Sequence, residues 1–505
     1  MRTVLNPQLT LTEIDIGAIP ISLKSRDDIP KLLLGLQYIY THPEVREAVF
    51  EILKEVVPNR VGGKGKAKVS LGRPGMEQWR ILVLGSLRLC LNIDYDRLVD
   101  LANYHVMIRQ MMGHPGPIDD LDPTEYTLQT VKDNLRLFTP EILGRIQEVV
   151  VRAGHEFVKK NDSRKFSEKL NARVDSFVVE TDVHYPTDVN LLLDAIRKVV
   201  TICGRTSAER DWSEWRQYQH NARAFKRKCR KIGKLKRSNA KDEVKREARN
   251  QEIRQAHRDY IEEGEGYLQR ARETRAKLEK AAKTDLMLGV ELKELDRFMH
   301  HAERQIDQIR RRVLQGEIIP HEEKVFSIFE EHTEWVSKGK AGVPVELGLK
   351  VAVVEDQYGF ILNHQVLQRT EDVQAAVPLI EDTQKQYGTL DSASFDKGFH
   401  SSENQTDLQR IVKRVVMPKK GKLSAADIER ESDPDFVRFR KKHSAVESAI
   451  NALECHGLDR CLDHGIVGFE RYVALAVLAR NVLRLGQIIH RHEADRNRAP
   501  DKLAA

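Results

Sequence analysis

Apolar residues recur at helical spacing through most of the first 165 positions. Trp79, Leu82, Val83, Ser86 and Leu87 follow a 3.6-residue period. An earlier helix is predicted through Val45–Val57. Between the two runs lies VGGKGKAKVSLGRPG, a Gly- and Lys-rich linker without the G-x-x-x-x-G-K-[ST] spacing of a phosphate loop. LNIDY interrupts the pattern, and Asp94 or Asp96 is placed to cap the next helix, which continues through Met112. GHPGPIDDLDP reads as a loop, and Thr124–Phe138 is helical again. Paired helices across a tight turn fit either a helix-turn-helix or an ordinary helical bundle.

The period then changes. Val174–Asp182 (VDSFVVETD) is rich in β-formers and ends in a carboxylate. Asp188–Val200 returns to helix, with Leu191, Leu192, Ala195 and Val199 on one face. From Arg205 to Arg312 apolar positions are sparse among charges, the pattern of long helices, a helical hairpin or a coiled coil. Beyond Gly316 strands reappear in LGLKVAVVED, YGFILNHQVLQ, TLDSASFD and RVVMP. Helices are predicted over Val373–Tyr387, Ser402–Gln409, Asp435–His456 and Gly468–His490. Strands and helices on both sides of a helical block predict an α/β domain carrying a helical insertion.

Charge sharpens this division. The 505 residues carry 83 Lys and Arg against 76 Asp and Glu, a net charge of +7. Arg205–Arg312 alone has 30 basic and 19 acidic residues, and Arg223–Arg249 has 13 against 3. Such a field attracts polyanions, and Arg227, Lys228, Arg230 and Lys231 lie at its densest part. Five scattered cysteines suit a reducing cytosol better than a disulfide framework. The first residues lack a secretory pattern, and Val473–Ala479 is short enough for a buried helix, so a soluble cytoplasmic protein is expected.

Three acids carry the candidate chemistry. Asp182 and Asp396 each end a predicted strand, where open α/β sheets place their sites. Glu447 borders the apolar stripe Val446, Ala449, Ile450 and Leu453, with Arg440, His443, Asn451 and Glu454 along its polar face. Gathered carboxylates repel unless cations lie between them, and hard oxygen ligands select Mg²⁺ or Mn²⁺. Cys455, His456, Cys461 and His464 form a weaker zinc candidate, because consecutive residues diverge on a helix.

These segments resemble the signature motifs of bacterial insertion-sequence DDE transposases, nearest to the unclassified group labelled ISNCY. ETDVHYPTDVNLLLDAIRK is similar to their first-Asp motif, SASFDKGFHSSEN to the second, and HSAVESAINALECHGLDR to the third. GFERYVALAVLARNVLRLGQ is similar to the closing helix, and LGRPGMEQWRILVLGSLRLCLNIDYDRLVDLANYHVMIRQMMG to the N-terminal domain.

The resemblance implies an RNase H-like catalytic domain over 170–203 and 317–490. A basic helical insertion at 204–316 would interrupt it. Before it would come an arm and linker (1–70) and a helical, helix-turn-helix-like DNA-binding domain (71–165), and after it a tail (491–505). It implies that Asp182, Asp396 and Glu447 hold two Mg²⁺ ions for cleavage of double-stranded DNA at element ends and strand transfer, within a dimer or larger synapse. Lys397, Arg440 and His443 would touch phosphates, and His184 and Tyr185 would line the site. Related transposases often carry Arg four residues before the third acid and a basic residue seven after it; here these positions hold His443 and Glu454. A nuclease on the same fold and a non-catalytic, transposase-derived DNA-binding protein are the alternative readings.

Overall fold

A computed structural model describes residues 3–5, 15–57, 75–120, 122–164, 166–237, 242–282, 286–337 and 344–498. The expected linker at 61–75 falls almost wholly outside these residues. The protein is mostly helical α/β, with one mixed seven-stranded sheet.

Seven helices come first: α1 (Asp28–Thr41), α2 (Pro43–Leu53), α3 (Gln78–Cys90), α4 (Tyr95–Tyr104), α5 (Val106–Met111), α6 (Leu128–Leu135) and α7 (Pro140–Asn161). Side-chain caps mark several starts. Asp94 accepts from the Arg97 N–H at 2.8 Å, Thr127 from Thr130 at 3.2 Å and Thr139 from Ile142 at 3.3 Å. Of the two candidate caps in LNIDY, Asp94 is the one used. The expected helix through Met112 is two, broken at His105. α3 is buried along its whole length, so it is a core helix.

Strand β1 (Leu170–Thr181) leads to α8 (Asp188–Glu209), α9 (Tyr218–Arg237), α10 (Glu243–Ala281) and α11 (Leu286–Ile309). Strands β2 (Glu334–Ser337), β3 (Val345–Glu355) and β4 (Ile361–Leu367) follow, then α12 (Asp372–Tyr387) and β5 (Leu390–Phe395). The chain ends with α13 (Ser402–Ile411), β6 (Arg414–Val416), α14 (Ala425–Ser432), α15 (Pro434–His443), α16 (Ala445–Leu453), β7 (Arg460–Cys461) and α17 (Ile466–Arg498).

The sheet runs β2-β3-β1-β5-β6, with β4 also on β3 and β7 also on β1. β3 pairs antiparallel with one edge of β1, from Arg173 to Glu180. The other edge is shared by two short parallel strands. β5 covers Leu170–Val174 and β7 covers Glu180–Thr181. Residues 175–179 therefore have no strand partner on that edge among the described residues, and α16 packs against β1.

The chain divides into two units, Met1–Asp182 with Val336–Ala505, and Val183–Trp335. This differs from the expected boundaries in two ways. The helical unit takes in α8, whose Leu192, Ile196 and Val199 join Phe225, Tyr260 and Leu295 in a separate core. The N-terminal helices do not stand apart, because Leu32, Trp79 and Ile146 share one core with the strands. The helix that joins them is α17, which packs on α1, α3, α7 and β4. It is long and apolar enough to cross a membrane, but 78% of its most apolar stretch is buried inside the protein. It also extends to Arg498, through much of the expected tail.

The α1–α17 crossing is close because glycine faces backbone on both sides. A Cβ on Gly486 would lie 1.7 Å from the Lys31 carbonyl oxygen, and one on Gly35 would lie 2.2 Å from that of Val482. Gly486→Ala is expected to force the helices apart and destabilise the sheet unit by about 1–3 kcal/mol. Gly144→Ala on α7, where a Cβ meets nothing within 4 Å, should instead be neutral or stabilising by up to about 1 kcal/mol. Thermal unfolding of the two variants tests the contrast.

Candidate active site

The position of the acids follows from the β1–β5 register. Val174 is level with Phe395, so the next residues, Asp175 and Asp396, are neighbours across the two strands. Asp396 ends β5 and caps a short turn over Lys397–Phe399, accepting from the Gly398 N–H at 3.3 Å. Asp175 lies in the middle of β1, where the edge opens beyond β5.

Glu447 reaches this place through a break in its helix. The segment expected as one helix, Asp435–His456, is split at Ser444 into α15 and α16. α15 packs on β5 and α16 on β1. Glu447 thus falls in the first turn of α16, where the helix dipole favours a carboxylate. His443, at the end of α15, meets Ser394 of β5, with Nδ1 and Oγ 3.1 Å apart. Burial lowers the His443 pKa, while Asp396 and Glu447 pull it upward.

A fourth acid adjoins the group. Asp372 accepts from the Ser176 hydroxyl at 2.9 Å and from Lys350 at 3.1 Å. A Cβ on Gly398 would lie 3.4 Å from Asp372 Oδ2 and 3.7 Å from Asp396 Oδ2. The other three carboxylates act on Asp175. The Asp175 carboxyl is pushed up to about 7, first by burial and then by Asp396, Glu447 and Asp372, while the Ser176 N–H at 2.7 Å pulls the other way.

Asp182 is not part of this cluster. It lies seven residues beyond Asp175, roughly 23 Å along an extended strand. Its side chain is 58% exposed and stands 3.8 Å from Arg460, which also donates to Glu180 at 2.8 Å. The sequence points to the C-terminal end of β1 as the site. The structure places the acids at its middle, because β5 is short and pairs only with the first part of β1. One signal for Asp175 is present in the sequence. An Asp inside a run of β-formers is locally disfavoured, and such violations concentrate at functional positions. Asp372 carries no comparable signal.

The auxiliary candidates are dispersed. Lys397 is exposed beside Asp396 and has no ion-pair partner among the described residues. Arg440 stands 3.6 Å from Glu431. His184 bonds Asp194 at 2.5 Å, which raises its pKa, and Tyr185 packs edge-on against Trp335; all four belong to the helical unit.

On α9, Phe225, Cys229 and Ile232 face inward. Arg227, Arg230 and Lys231 are exposed without ion-pair partners among the described residues, whereas Lys228 is held by Glu263 at 2.5 Å. The other long helices neutralise much of their charge internally, as in Arg275–Asp296, Arg272–Glu303 and Arg310–Glu265.

No family model, curated protein or solved structure matches the chain. The chemistry of the site therefore has to be argued from its donors. Among the described residues, no three His, Cys, Asp or Glu side chains already stand close enough to hold one ion, and this includes the zinc candidate. In that segment His456 instead bonds the Cys90 carbonyl oxygen at 2.5 Å and Cys461 is buried. The acid cluster nevertheless fits a hard divalent cation in kind. Its donors are carboxylate oxygens, burial and the neighbouring acids disfavour the charged form of its central member, and Asp396 and Glu447 are exposed.

The raised Asp175 value fixes a pH signature. Between the ordinary Asp range near 4 and about 7, the folded chain holds a proton that the unfolded chain releases. Stability therefore falls as pH rises through that window and stays lower above it. Asp175→Asn is expected to raise the melting temperature at pH 8 and to show progressively less gain toward pH 4. A gain independent of pH would mean that Asp175 does not carry this strain.

Proposed function

We propose that the protein is a DDE-type DNA transposase whose acidic triad is Asp175, Asp396 and Glu447, on an RNase H-like domain. The observation that carries this reading is the β1–β5 register, which sets Asp175 beside Asp396 under the helix bearing Glu447. A sheet of three antiparallel strands, β4-β3-β1, extended by the parallel strands β5 and β6, supports the RNase H-like assignment. The motif resemblance covers Asp396 and Glu447, whereas Asp175 lies five residues before the segment similar to the first-Asp motif and is taken in place of Asp182 on the β1–β5 register alone.

In this reading Asp175, Asp396 and Glu447 would hold two Mg²⁺ ions, which activate the attacking oxygen and stabilise the leaving one in displacement at phosphorus. The remaining work falls to the chain. Burial of Asp175 and the Lys350–Asp372 pair set the local charge. The Ser394–His443 contact fixes the end of α15 and hence the start of α16. Lys397, exposed beside Asp396, is available to a phosphate oxygen. Water attacks the phosphodiester at an element end and a 3′-hydroxyl departs; that hydroxyl then attacks a target phosphodiester, and the P–O bond to the target's own 3′-oxygen breaks, releasing a target 3′-hydroxyl. The partner-free cations of α9 supply a sequence-independent hold on the duplex.

Asp175→Asn, Asp396→Asn and Glu447→Gln are each expected to reduce Mg²⁺-dependent cleavage and joining of element-end DNA by roughly 10³-fold or more while leaving duplex binding intact. Asp182→Asn should retain activity. Loss of activity in Asp182→Asn with retention in Asp175→Asn would overturn the assignment, and cleavage without joined product would indicate a nuclease.

A second expectation concerns α9. Replacing Arg227, Arg230 and Lys231 together with Ala should flatten the dependence of log affinity on log salt by about 0.9 for each phosphate that is no longer neutralised. Lys228→Ala should have a smaller effect, because that charge is already paired. Equal salt slopes for the native and triple-variant chains would remove α9 from the DNA interface.

A further inference from the structure

A cleft of about 370 Å³ opens where α4 and α6 meet the loop from β7 to α17. It belongs to the end of β1 opposite the β5 pairing. β7 joins β1 at Glu180 and Thr181, and Leu462, Asp463 and His464 then enter the cleft wall. From Asp175 to Glu180 is about 17 Å along the strand, roughly five base steps of a duplex.

The lining is cationic. Arg88, Lys132, Arg136 and Arg471 face two carboxylates, and both carboxylates are engaged. Asp463 accepts from Arg88 at 3.0 Å and from Arg471 at 2.8 Å, and Asp94 caps α4. Arg88 is only 3% exposed, stacks 4.0 Å above the Tyr95 ring, and has a buried Nε with no hydrogen-bond partner. A buried donor on a charged group is costly to leave unmet. Lys132 on α6 and Arg136, the residue that caps its C-terminal end, lie four positions apart with no ion-pair partner among the described residues, Lys132 lying 5.2 Å from the same ring. Free cations at the mouth and an unmet donor in the wall suit an oxyanion.

We propose that this cleft binds a phosphate group of the DNA backbone, holding the duplex at a second point away from the acids. The proposal rests on the DNA-processing reading but not on the identity of the catalytic acids. It makes the N-terminal helices part of the DNA-binding surface through α6 and the wall of α3, without requiring a recognition helix.

The test uses the full chain and a labelled 20-base-pair duplex of arbitrary sequence, followed by fluorescence anisotropy across a salt series. Lys132→Ala with Arg136→Ala is expected to weaken binding about tenfold or more at low salt and to lower the salt slope by about 1–2. Lys54→Ala with Arg410→Ala, the same charge change elsewhere on this unit, should do neither. Lys132 and Arg136 hold no ion pair among the described residues, and the variant gives up only the Lys132–Tyr95 ring contact, so the fold should persist, which a melting curve checks.

Unchanged affinity and slope in the cleft variant, with the native chain binding, would overturn this proposal and leave the DNA reading standing. Failure of the native chain to bind any duplex would overturn both. Inorganic phosphate is titrated in parallel. If it raises the melting temperature of the native chain but not the cleft variant, while duplex affinities are equal, the cleft takes free phosphate and the proposal is overturned.

Discussion

Everything at the candidate site depends on how the second edge of β1 is covered. One edge is continuously paired with β3. The other is divided between β5 and β7, two short strands that arrive from distant parts of the chain. The interval between them allows a carboxylate in mid-strand to meet acids from a strand end and a helix start. A fully paired edge would place Asp175 in the sheet interior beside another strand, where an ionised carboxylate has little to stabilise it. Asp175 is accordingly strained rather than satisfied. The surrounding contacts, Ser176 with Asp372, Asp372 with Lys350, and Ser394 with His443, hold the frame while leaving that strain in place.

Positive charge is handled in two contrasting ways. In α10 and α11 most arginines meet carboxylates of the same unit, and such exposed pairs contribute little to stability. On α9 Arg227, Arg230 and Lys231, and at the mouth of the cleft Lys132 and Arg136, have no such partner among the described residues. Segregation of paired from unpaired charge is what turns a modest net charge into local fields. A count over the segment detects the excess at α9 but cannot tell Lys228, which is tied to Glu263, from Arg227 or Arg230.

Periodicity and punctuation made most elements legible. The caps at Asp94, Thr127 and Thr139 and the alternation into β3, β4 and β5 are local physics, and local physics is what a sequence displays. What stayed hidden was register. Nothing within VDSFVVETD says that β5 ends opposite Val174, so the strand pattern alone does not set Asp175 apart from the terminal Asp182. The helix break at Ser444 was also hidden, because serine with ordinary helical-region dihedrals leaves no mark on the apolar period. The joint core of the N-terminal helices and the sheet depends on α17, more than 300 residues from α7, a separation at which pattern carries no information. Asp396 and Glu447 are legible as candidates because each sits at the boundary of an element, where a motif can be recognised.

The way α17 closes the sheet unit has a consequence for the order of events on the ribosome. Helices α1, α3 and α7 emerge well before the surface they bury against, because α17 begins some 300 residues after α7 ends. Their glycine-lined seat for α17 stays open while some 300 further residues are synthesised. The helical unit Val183–Trp335 is continuous in sequence and carries its own core. It can therefore settle first, although it is interposed in the middle of the chain. During translation the apolar faces awaiting α17 are an exposed surface, and their need for protection lasts until α17 has emerged.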